Sequence, residues 1–165
     1  MPPIVWVLTV LGLAPFILCG LSAIGHNPDP ADRGLALLID WGAVVLAFLG
    51  AVHWGLALGG LPPAGASSAA APPSASLQRW RFGLGVAPLL VGWAALILTK
   101  VVSPLLGIAL LIAGLIATLG VEHQAGRHSL LPRGYLTLRW GFTIIAAAML
   151  VTVLTLRLLG QTVVF

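Results

Sequence analysis

Leu35 to Leu58 reads LALLIDWGAVVLAFLGAVHWGLAL. Its only ionisable side chains are Asp40 and His53. At about 1.5 Å rise per residue, a helix of this length exceeds the ~30 Å hydrocarbon thickness of a bilayer. The stretch is much longer than the ~9–11 residues of a barrel strand and shows no polar alternation. In hydrocarbon every backbone polar group needs an internal partner, and a single segment of this length meets that need only as an α-helix.

The same pattern repeats on both sides. Ile4–Ile24, Phe82–Thr99, Pro104–Val121 and Leu136–Leu159 are apolar runs of membrane-spanning character. Apolar residues make up 59% of the chain and charged residues 7%, against roughly 25% charged in a soluble domain. The fold class expected is all-α, an integral membrane bundle of about five transmembrane helices. Residues 1–165 are expected to form a single transmembrane domain. The first run lacks a basic flank and a cleavage motif, so it is expected to stay as the first helix.

The connections differ. Residues 59–76 read GGLPPAGASSAAAPPSAS, a low-complexity stretch with nothing to bury, expected to be a mobile loop. Gly25–Arg33 is expected to be a polar turn. Lys100–Ser103 is expected to be a tight hairpin, with Pro104 opening helix four. Glu122–Gly134 is expected to be the most polar loop.

The net charge is +4, yet the basic residues flank apolar runs and form no nucleic-acid-binding face. Membrane lipids are the expected partners, with other membrane protein subunits as further candidates. In a five-helix topology Arg79, Arg81, Arg127, Arg133 and Arg139 share the side of the N-terminus, and Arg33, Lys100 and Arg157 lie opposite. The positive-inside rule then puts the N-terminus in the cytoplasm of a bacterial inner-membrane protein. Cys19 is alone, and its place in an apolar run marks a small buried hydrophobe.

Helices in lipid associate through small residues and polar contacts. Ala43, Ala47, Ala51, Gly55 and Gly59 recur every four residues in segment two, and Ala109, Ala113 and Ala117 do so in segment four. These two stripes are expected to cross closely. Pro15 and Pro88 are expected to kink their helices toward the bundle. Trp6, Trp41, Trp80 and Trp140 are expected near the segment ends, as an aromatic belt.

Six polar or aromatic positions are candidates for a site. An ionisable group within a span is a functional candidate by default. His53, beside Trp54, points about 200° away from Ala51. It is either a neutral imidazole bonded to a neighbouring helix, or a contact for a headgroup, quinone or proton. No second His shares its face, so neither a metal nor a cofactor is expected. Asp40 is expected near the start of its helix, where a carboxylate suits the dipole, with Arg157 the better partner and Arg139 the poorer. Tyr135, Arg139 and Thr143 are spaced four apart on one face. Arg139 reaches headgroups, holds an anionic lipid or pairs with Glu122. Glu122-His123 and His128 lack the HExxH spacing. No nucleophile elbow, phosphate loop or paired-cysteine motif occurs.

Ala14-Pro15-Phe16, then Phe48-Leu49-Gly50 with His53-Trp54-Gly55, then Pro88-Leu89-Leu90 with Trp93, and finally Leu138-Arg139 with Thr143 follow in order. In these motifs the chain resembles the DUF3429 family of small membrane proteins of unknown function, related to the transmembrane protein 69 group. It departs at Glu122-His123, at Gly134-Tyr135 and in the insertion over 59–76. The resemblance implies a five-helix inner-membrane protein and no activity. The function expected is that of a non-enzymatic accessory or assembly component of a membrane complex. The rival is a small transporter or a lipid- or quinone-binding membrane protein. A membrane enzyme would require Asp40, His53 and Arg139 to converge.

Overall fold

The computed structural model describes residues 3–59, 75–127 and 135–160, and the side chains of most of these. Among the described residues there are five helices and no strand. They are α1 (Pro3–Ala23), α2 (Pro28–Gly59), α3 (Ala75–Val101), α4 (Pro104–Arg127) and α5 (Tyr135–Leu158). All five are long and apolar enough to cross a membrane. The chain is a multi-pass membrane protein. Residues 60–74 of the Ala/Pro/Ser-rich stretch, and His128 and Arg133, lie outside the described residues, as do the side chains of Trp80 and the arginines beside it.

Two helices are longer than expected, and both extensions recruit polar residues. Gly25–Arg33 is not wholly a turn: α2 begins at Pro28 and takes in Asp29, Pro30 and Asp32. The first turn of a helix leaves its N–H groups unpaired, so proline costs little there. Asp29 also faces the positive end of the helix dipole. At the other end of the chain, α4 does not stop at Val121 but runs through Glu122 to Arg127. The Lys100–Ser103 hairpin is tight. The Val102 and Ser103 amides both donate to Leu98 O, and the Leu105 amide donates to Ser103 Oγ at the start of α4.

Helices α1, α2, α4 and α5 contact one another in a ring, and α3 packs outside against α2 and α4. In α5 the buried positions Arg139, Thr143, Ala146, Leu150 and Val153 alternate steps of four and three, which gathers them on one stripe. In α1, Phe16 is fully buried and meets Phe142 edge-on at 6.1 Å between ring centroids. Gly20 gives way to Met149 of α5.

The closest crossing is not the one between the two alanine stripes. A Cβ at Gly50 would collide with the carbonyl oxygen of Gly85, and one at Gly92 would lie 2.9 Å from Ala43 O. Helices α2 and α3 therefore meet backbone to backbone through residues seven apart on each. Ala51, Gly55, Ala109, Ala113 and Ala117 are instead exposed. Contact between α2 and α4 is of another kind. Leu111 sits over Gly42, and Leu46 over Gly114. Spacing by fours is common to many faces of an alanine-rich helix, and only a glycine opposite a backbone or a leucine decides which face is used.

Candidate functional site

The six candidate residues fall into three separate places. The first joins α4 to α5. Arg139 Nε donates to Glu122 Oε2 at 2.6 Å. The Tyr135 hydroxyl donates to Glu122 Oε1 at 3.3 Å, and Arg139 Nη1 donates to Thr143 Oγ1. Glu122 and Arg139 are both buried. Of the alternatives open for Arg139, the Glu122 pair is the contact made. The position of Glu122 one turn past Thr118, within α4 rather than in a loop, makes this possible. A buried carboxylate and guanidinium neutralise each other, which is how a span tolerates them. Nearby, the His123 and Trp140 rings meet edge-on at 5.9 Å.

The second place surrounds His53, which is 5% exposed. Its Nδ1 lies 3.4 Å from Leu49 O, one turn back in the same helix. Nε2 is buried without a hydrogen-bond partner among the described residues. The ring lines an apolar recess of about 120 Å³ between α2, α3 and α4, together with Leu84, Pro88, Val91, Gly114 and Thr118. Trp54 does not enter the recess. Its indole Nε1 donates to Phe82 O of α3 at 3.2 Å, and its ring covers Gly85.

The third place is Asp40. Because α2 starts at Pro28, Asp40 stands twelve residues into the helix, about 18 Å along its axis, and not near the helix start as expected. Trp41 likewise leaves the aromatic belt: its Nε1 donates to Gly12 O at 3.1 Å, near the middle of α1. Asp40 is therefore level with the centre of the first span. It is exposed, on the stripe of α2 that carries Leu37, Val44 and Phe48 outward between α1 and α3. No hydrogen bond or ion pair reaches it among the described residues. Arg157 is not its partner. Arg157 Nη1 binds Asp32 at 3.0 Å, two turns nearer the helix start, and its Nε donates to Ala23 O, the last carbonyl of α1.

No contact or shared pocket brings Asp40, His53 and Arg139 together, so the convergence that a membrane enzyme built on these three would need does not occur. Among the described residues no three His, Cys, Asp or Glu side chains gather in a metal-binding group.

A family model matches residues 1–155. The chain belongs to the family described as Protein of unknown function (DUF3429). No curated protein and no solved structure matches it. Within this DUF3429 protein the motif around His53 and Trp54 does two jobs: Trp54 ties α2 to α3, and His53 closes one wall of the recess. Sequence reasoning missed the carbonyl of Leu84, four residues before Pro88 in α3, which the proline leaves without its usual helical N–H donor. The proline itself was the signal: the carbonyl four residues earlier always loses its partner.

Proposed function

We propose that this protein is a non-enzymatic accessory or assembly component of a membrane complex, seated in a bacterial inner membrane with its N-terminus in the cytoplasm. Asp40 carries the reading. A charged carboxylate facing lipid at the centre of a helix costs about 2.5–3.5 kcal/mol. A helix from another subunit would remove that cost if it brought a lysine or arginine to the same depth. A second copy in the same orientation would not, because it would set Asp40 against Asp40. The chain's own basic residues stand toward the ends of its spans. The occupant proposed for the stripe Leu37–Asp40–Val44–Phe48 is therefore a transmembrane helix of a different chain with a basic residue in its span.

The orientation rests on charge. Arg139 is neutralised by Glu122, and Arg157 by Asp32. Setting both aside leaves Arg79, Arg81, Arg127 and Arg133 on the N-terminal side against Arg33 and Lys100 opposite, which supports a cytoplasmic N-terminus.

The test is a photo-reactive residue at Val44, activated in native membranes. The expected product is a crosslink to a span that contains lysine or arginine, lost in Asp40→Leu and in a substitution of that basic residue. A wild-type protein recovered from mild detergent as a lone monomer without any such crosslink would refute the reading. So would a crosslink that Asp40→Leu leaves intact.

A further inference from the structure

We propose that the cavity between the ends of α2, α3, α4 and α5 binds a zwitterion carrying a primary ammonium and a phosphate, the chemistry of a phosphoethanolamine headgroup. The inference does not depend on the reading given for Asp40.

The cavity measures about 450 Å³, within the ~300–1,000 Å³ of small-molecule sites. Charge of both signs lines it. Asp32 and Arg157 pair at 3.0 Å with side chains 72% and 28% exposed, so a ligand can meet the pair without breaking it. Arg157 engages only Oδ1 of the carboxylate, and Oδ2 makes no hydrogen bond among the described residues. That free oxygen suits an ammonium, which brings three N–H donors. Two part-exposed hydroxyl residues share the wall. Thr99 Oγ1 gives its hydrogen to Ala95 O at 2.8 Å and can only accept. Ser103 Oγ accepts from the Leu105 amide at 3.2 Å and keeps its hydrogen to donate. Arg157 and Ser103 thus suit a phosphate oxygen. An ion of one sign would gain from one member of the Asp32–Arg157 pair and lose to the other. A zwitterion gains from both.

Depth favours a lipid as the source of that headgroup. Thr99, Ser103, Leu105 and Arg157 stand at or beside the ends of their spans, where hydrocarbon gives way to headgroups. Leu35, Ile39 and Leu105 supply apolar wall beside the charged pair. Ala36 and Pro104 on the rim are exposed, which leaves an exit for acyl chains along α2.

The experiment titrates the full-length protein in mild detergent with phosphatidylethanolamine, phosphatidylcholine and phosphatidylglycerol of identical tails, and counts bound lipid by native mass spectrometry. Phosphatidylethanolamine should bind about tenfold more tightly than either of the others. Choline has no N–H for Asp32, and phosphatidylglycerol has no cation. Asp32→Asn should bring phosphatidylethanolamine down to the affinity of phosphatidylcholine. Ala36→Phe on the exposed rim should block binding and serves if Asp32→Asn fails to fold. Tail-free glycerophosphoethanolamine separates the sources. Weak binding of it supports a lipid headgroup, and binding as tight as that of the lipid, lost in Asp32→Asn, supports a soluble zwitterion of the same chemistry. Equal affinity for the three lipids, a preference that survives Asp32→Asn, or binding unaffected by Ala36→Phe would overturn the proposal. So would the absence of saturable binding.

Discussion

Arg139 and Glu122 meet at 2.6 Å with side chains only 3% and 0% exposed, and this pair is the principal polar tie between α4 and α5. Both helices are otherwise apolar, and apolar side chains gain little by leaving lipid for one another. A charge-assisted hydrogen bond within the membrane therefore carries orientation as well as energy.

Removing one partner should be far worse than removing both. Glu122→Ala or Arg139→Ala leaves an uncompensated buried charge, at a cost of about 3–5 kcal/mol. The apolar double replacement Glu122→Leu with Arg139→Met should lose much less. A double-mutant cycle on unfolding in mixed micelles measures the coupling. Additive losses would show that the pair is not coupled.

The α2–α3 crossing makes a sharp contrast among glycines. Gly50→Ala must push α2 off the Gly85 carbonyl and should destabilise the fold by at least about 2 kcal/mol. Gly120→Ala meets nothing within 4 Å and should instead stabilise α4 by about 0.5–1 kcal/mol, through helix propensity alone. Thermal melts of the two variants in one detergent decide the matter. A similar shift for both would mean that the helices are not in backbone contact.

Arg157 serves two acceptors of unequal standing. Asp32 is largely exposed, so Asp32→Asn should cost less than about 1 kcal/mol and less still at high salt. The bond to Ala23 O caps the last carbonyl of α1, next to the Leu21 and Ser22 carbonyls that accept from the Ile24 and Gly25 amides. Arg157→Ala should therefore destabilise more than Asp32→Asn, and the difference should persist in salt. Hydrogen exchange at the α1–α2 turn would register it as faster opening.

Asp40 should contribute nothing to the stability of the isolated chain. Asp40→Leu removes a lipid-facing carboxylate and should leave the unfolding midpoint unchanged or raise it by up to about 2 kcal/mol equivalent. A marked loss of stability would place Asp40 within the fold of the single chain and remove it from any surface.

The five spans were legible because the need to satisfy backbone groups in hydrocarbon leaves helix as the only state for such long apolar runs. Helix ends were less legible. Asp29, Asp32 and Glu122 look like loop residues by polarity, and each lies within a helix because a helix start or an arginine across the bundle accommodates it. The Tyr135, Arg139 and Thr143 face could be read from spacing, whereas Asp32 as the partner of Arg157 could not.

From its order of residues alone this protein is a five-helix membrane chain, with His53, Asp40, Glu122 and Arg139 as the groups that need an answer. Which of them found a partner was decided only by tertiary packing. Hydropathy acts along one segment at a time, but a hydrogen bond between helices depends on the rotation and depth of both. Those were set where Gly50 met Gly85 and where Trp41 met Gly12. That packing paired Glu122 with Arg139, gave Arg157 to Asp32, and among the described residues left Asp40, His53 Nε2 and the Nη2 atoms of Arg139 and Arg157 unmet.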